Sequence, residues 1–163
     1  MPTIHKLAAI GAVHRVEITL GRREFAERFI FISEEVKEWL SQSLPLLERF
    51  YKDTDLAPDE QVVFLFHAFI VGKRLHHWRR LHVMTPVENG VWELKAPDIR
   101  FFGWFPEKDV FVAARVDSFA RVKQFGLADG LREETIRFRE ALDLNEPKFI
   151  AGGDQGDVVS NAD

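Results

Sequence analysis

The stretch from Gly90 to Val116, GVWELKAPDIRFFGWFPEKDVFVAARV, constrains the fold of this chain more than any other. Three runs rich in β-branched and aromatic residues, Val91 to Lys95, Ile99 to Phe105 and Val110 to Val116, alternate with Pro/Asp punctuation. That pattern marks consecutive hairpins, so an antiparallel meander is predicted over 91–116. A two-residue turn at Pro97-Asp98 sets Lys95 beside Arg100, and a four-residue loop over 106–109 sets Phe105 opposite Val110. In that register Ile99, Phe101, Gly103 and Phe105 share a face with Val110, Val112, Ala114 and Val116. Arg100, Phe102 and Trp104 share the other face with Phe111, Ala113 and Arg115, and Arg100 falls across from Arg115. Like charges in a row across a sheet are unfavourable. Lys95, Arg100 and Arg115 are therefore splayed into water, offset by carboxylates such as Glu93, or arranged around an anion.

The segments before the meander read mainly as helix. His14 to Leu20 alternates cleanly and is predicted as a half-buried strand, whereas Arg22 to Ile32 fits helix or strand. Ser33 caps a helix that opens on Glu34 and Glu35, and Pro45 breaks it. Pro58-Asp59-Glu60 opens a second, largely apolar helix ending at Gly72, with His67 expected as a hydrogen-bonded core residue. Leu81 and Val83 alternate towards a turn at Glu88-Asn89-Gly90, with Pro86 placing that segment at a sheet edge or outside the sheet. After the meander, Asp117 or Ser118 caps a short helix, Ser118 to Gln124, and Leu131 to Leu142 is amphipathic.

These elements predict an α+β fold: a small antiparallel sheet packed against N-terminal and C-terminal helices, within one domain over 1–143. With 163 residues, 46% of them apolar, there is enough chain for a sizeable core. Residues 144–163, rich in Gly and Asp, read as a mobile acidic tail. The absence of cysteine removes disulfide and thiolate chemistry. No run spans a bilayer and no signal peptide is read, so the expected setting is cytoplasmic, with no membrane partner. No phosphate loop, nucleophile elbow or paired His/Glu metal motif occurs, so neither a cofactor nor a metal is expected.

The net charge of −4 conceals a segregation. From Asp143 onward there are five acids and one base, leaving 21 of each before it. No acid occurs between Glu60 and Glu88, where Lys73, Arg74, Arg79 and Arg80 fall. In the KRLHHWRRLH segment, Lys73, Arg74, Arg79 and Arg80 suit phosphates and Trp78 suits base stacking, and a solvated helix end reads equally well. Trp104, Phe102 and Phe111 are either stacking platforms or a second core face.

The apolar helix, the basic link, and then Trp92-Glu93-Leu94-Lys95 and Arg100-Phe101-Phe102 on successive strands resemble the RelE/HigB superfamily of toxins, in its phage-derived Gp49-like branch. The resemblance covers roughly residues 59–116, within a RelE-like core expected over 59–143 behind an N-terminal addition. It implies metal-free endonucleolytic cleavage of messenger RNA on the ribosome by strand-borne bases, and a paired antitoxin. Lys95 stands where the family's strand Arg follows Glu-Leu, and Arg100 matches the Arg of the next strand. The family's Lys-Lys-Thr segment is replaced by Asp117-Ser118-Phe119-Ala120-Arg121, and the only Tyr is Tyr51.

Cleavage without a metal needs a base for the 2′-hydroxyl, cations for the phosphorane and a donor for the leaving oxygen. Arg100 and Arg115 are the expected cations, Lys95 the orienting group or acid, and His82, His76 or His77 the acid/base. The alternative is a catalytically inactive RelE-fold binding module of mobile-element origin, gripping a protein or nucleic acid. A DNA-binding regulator would need a recognition helix, and the basic segment lacks a helix-turn-helix partner.

Overall fold

The computed structural model describes residues 2–50, 55–75 and 80–162. The chain folds as an α+β domain around one six-stranded mixed sheet. Strands β1 (His14–Arg15), β2 (Phe29–Ile32), β3 (Leu81–Val83), β4 (Trp92–Lys95), β5 (Ile99–Glu107) and β6 (Val110–Ser118) lie in the order β1-β2-β6-β5-β4-β3. The meander β3 to β6 is antiparallel, as expected, but β2 joins β6 in parallel. A parallel pair needs a long crossover, here α2 (Glu34–Gln42), α3 (Pro58–Ile70) and the first three meander strands.

Helix α2 starts where Ser33 accepts the Val36 N–H at 3.2 Å, and a 3₁₀ turn at Leu44–Leu46 takes Pro45. Helix α3 starts at Pro58, and the Glu60 carboxylate accepts the Ala57 N–H at 3.1 Å. Val62, Leu65, Phe66, Phe69 and Ile70 face inward onto Leu81, Trp92, Leu94, Phe101, Phe105 and Phe111 of the sheet, forming the main core. The other sheet face is covered by α1 (Ile4–Ala9), α4 (Phe119–Phe125) and α5 (Ala128–Ala141). Among the described residues, no helix is long and apolar enough to cross a membrane.

The β5–β6 register departs from the sequence expectation. The strands run on through Pro106 to Glu107, which pairs with Val110 across a turn at Lys108-Asp109, where Asp109 has φ +67°. Two irregularities follow, placing one extra residue on each strand in turn. The sides change accordingly. Phe111 and Ala113 face the main core with Phe105, while Val110, Val112 and Ala114 pack with Trp104 on the opposite face. Gly103 sits in this region, where an added Cβ would lie 1.9 Å from the Val112 carbonyl oxygen, so a side chain is sterically excluded.

Two further expectations are corrected. The alternation over 14–20 yields only a two-residue strand, His14–Arg15, paired with Phe31 and Ile32 of β2. Residues 144–162 are not a loose tail. Leu144, Val158 and Val159 are buried, and α6 (Gln155–Val158) packs into the main core. The buried Arg28 guanidinium donates to the carbonyls of Phe69, Lys73 and Ser160, and Asp109 accepts from the Ser160 N–H and hydroxyl. A Gly/Asp-rich composition hid two apolar residues with a prepared slot.

Candidate functional site

The turn at Pro97-Asp98 has the predicted form, and it puts Lys95 directly opposite Arg100. It is held from below. Gln61 on α3 donates to the Asp98 carboxylate and accepts the Asp98 N–H, each at 2.9 Å, in a reciprocal buried pair. On the next row of the same sheet face, β4 sets Glu93 beside His82 of β3, with Glu93 Oε2 3.3 Å from His82 Nδ1. Side chains alternate along a strand, so His82, Glu93, Lys95 and Arg100 share one face over three strands.

The electrostatics of this quartet are mutual. Burial raises the Glu93 carboxyl above the usual carboxylate range, while Lys95 and Arg100 pull it back. Burial likewise lowers the Lys95 ammonium; Glu93 opposes that shift and Arg100 adds to it. Arg100 lies over the Phe119 ring, with its guanidinium carbon 4.4 Å from the centroid, and its Nη1 donates to the Ala96 carbonyl. Perturbed acid and base side by side, beside a fixed cation, is an arrangement that clusters at functional sites.

Arg115 does not join this group. The turn at Lys108-Asp109 sets a register in which Arg115 pairs with Phe102 and Arg100 with Asp117, the two irregularities cancelling between them. The Arg115 Nε is 2.6 Å from Glu35 Oε2 and 3.5 Å from Glu134 Oε1, and its side chain is only 21% exposed. Its geometry is that of a close ion pair, without an aligned hydrogen bond at Nε. Arg115 therefore ties α2 and α5 to the sheet, and the expected row of three cations is a row of two.

Trp104 is also corrected. It is fully buried, donates its indole N–H to the Lys148 carbonyl at 3.0 Å and packs against Phe138, so it cannot stack on a nucleic-acid base. Phe102 and Phe111 are buried with it. Of the basic segment, Lys73 and Arg74 are exposed after the end of α3. Arg80 lies beside Lys95, whose N–H donates to the Arg80 carbonyl at 2.7 Å, and its guanidinium sits 5.4 Å from the Phe64 centroid. Trp78, Arg79, His76 and His77 lie outside the described residues, as does Tyr51.

Glu93, in the sequence a counter-charge to the cations, stands in the fold 3.3 Å from His82. Its signal was present in the alternation of Trp92-Glu93-Leu94-Lys95, which puts the acid on the same side as the lysine. His67, expected as a hydrogen-bonded core residue, has the hydrogen-bond partner, Glu24 at 3.0 Å, but sits partly exposed on the outer side of α3 and outside the core. On the outer side of α3, Leu56, Asp59, Glu60, Val63, Phe64 and His67 line a groove of about 450 Å³. In comparisons with known proteins, the chain matches no family model, no curated protein and no solved structure.

Proposed function

We propose that this chain is a RelE/HigB-like toxin, of a toxin–antitoxin or phage-derived system, that cleaves RNA endonucleolytically without a metal. One observation carries the reading: the Lys95–Arg100 pair lies one row from the Glu93–His82 pair on a single sheet face. Two cations side by side suit a phosphodiester, and the acid and imidazole beside them suit proton transfer. In this reaction the 2′-hydroxyl gives its proton to Glu93 or to neutral His82. The 2′-oxygen then attacks phosphorus, and the bond from phosphorus to the 5′-oxygen breaks. Lys95 gives the leaving oxygen its proton, and Arg100 stabilises the phosphorane. The raised carboxyl and lowered ammonium bring both groups closer to neutrality, where each exchanges protons more readily. The products are a 2′,3′-cyclic phosphate and a 5′-hydroxyl end.

Inducing the protein in cells and mapping RNA 5′ ends tests this. Wild type should arrest growth and create new 5′-hydroxyl ends, and Arg100→Ala should do neither at equal abundance. New ends that persist with Arg100→Ala would overturn the assignment.

A second reading rests on the outer face of α3, where Val63 is 66% exposed beside Phe64. A non-catalytic binding module would use that groove to grip a protein partner, and an antitoxin could occupy it under the first reading. The module predicts a stable complex on pull-down and no RNA loss in a translating extract.

A further inference from the structure

The edge strand β3 is three residues long, yet it carries His82 to the site. Its pairing with β4 is closed at the two ends by Met84 N–H to the Val91 carbonyl, 2.8 Å, and Lys95 N–H to the Arg80 carbonyl, 2.7 Å. On the side away from β4, the Leu81 carbonyl points towards α6. There the buried Gln155 amide donates to it at 3.4 Å and to the Leu75 carbonyl at 2.8 Å. Both acceptors are carbonyls, which fixes which end of the amide faces them. A single side-chain NH₂ thus bridges the chain entering the basic segment and the chain leaving it.

The support behind Gln155 is firm. Val158 and Val159 are buried, the Asp109 N–H donates to the Val158 carbonyl at 2.8 Å, and the Asn161 amide donates to the Gly72 carbonyl at 3.0 Å. Short edge strands otherwise open readily, because one side of their backbone has no ladder.

We propose that Gln155 is a positioning residue that holds β3, and with it His82, against Glu93. The inference rests on the proposed site for its consequence in RNA cleavage, but not for its structural content. Gln155→Met keeps the side-chain volume and removes both donors. Amide hydrogen exchange at Met84 and Lys95 should then accelerate at least tenfold while amides of β5 and β6 keep their protection. The His82 ring resonances, followed by NMR, should shift from their wild-type positions as Glu93, 3.3 Å away, recedes. Turnover on RNA should fall at least tenfold with KM within about twofold, since Lys95 and Arg100 stay in place.

Unchanged exchange at Met84 and Lys95 together with unchanged His82 ring resonances would overturn the proposal. Should Gln155→Met unfold, Gln155→Leu, which also lacks a donor, carries the same readings. Faster exchange in a protein whose wild type cuts no RNA would leave the strap standing and remove only the ribonuclease reading.

Discussion

Lys95 stands directly across the β4–β5 ladder from Arg100, two like charges held in register by a turn that Gln61 pins through Asp98. Such a pair costs roughly 0.2–1 kcal/mol in a sheet. Burial adds to that cost for Lys95, whose ammonium is the one lowered. Lys95→Met should therefore stabilise the fold, raising Tm by about 1–4 °C at neutral pH, while weakening RNA binding. A group with a depressed folded pKa gives up stability as pH falls from its unfolded value through its folded one, so the advantage of Met should shrink as pH rises towards about 10.4 and be gone above it. Thermal melts across pH, paired with RNA titrations, check both halves. A lysine serving only the fold would lose stability on replacement.

Glu93 shows the opposite shift. Its folded carboxyl is raised, chiefly by burial, so the folded state binds its proton more tightly than the unfolded chain does. Stability should fall as pH rises through that window, from about 4.3 upward. Glu93→Gln should thus be more stable than wild type at pH 7 and equal to it near pH 4. Cleavage should drop at least tenfold at the same time. Denaturant midpoints at the two pH values, alongside initial rates, measure the trade.

Arg115 is a structural ion pair in this account. Arg115→Gln should destabilise the protein by about 2 kcal/mol. That is less than the 3–5 kcal/mol of a fully buried pair, because Glu35 and Glu134 remain accessible to water. Activity per folded molecule should not change. Urea denaturation and a rate normalised to folded protein separate the two effects.

The C-terminal segment belongs to the core. Val158→Ala, at a fully buried position, should cost about 2 kcal/mol, and deletion of 154–163 should cost more because Gln155 and the Arg28 contact to Ser160 go with it. Chemical denaturation of both variants measures this, and a deletion without effect would show the segment to be dispensable.

Much of the architecture was readable in advance. Ser33, Pro58 and Ser118 announced three helices, because a capping side chain or an N-terminal proline leaves a local mark. The turn at Pro97-Asp98 was legible for the same reason, and with it the Lys95–Arg100 pair. What failed was non-local. Pro106 reads locally as a loop residue but continues β5 beside an irregular pairing, and the turn falls at Lys108-Asp109. Nothing local fixes where an extra residue slips into a ladder, although Gly103 hints at a close backbone approach. Arg115 lost its expected partner because the turn sits at Lys108-Asp109, which shifts the whole register by two residues. Val158 and Val159 were overlooked because their neighbours are Gly and Asp, and burial there depends on a slot built by distant residues.

The most direct test uses purified protein and a defined single-stranded RNA in EDTA. The account predicts cleavage by wild type to 5′-hydroxyl ends, and loss of at least a hundredfold in rate for Lys95→Ala and Arg100→Ala, both still folded by circular dichroism. Undiminished cutting by either variant, or no cutting by wild type, would contradict it.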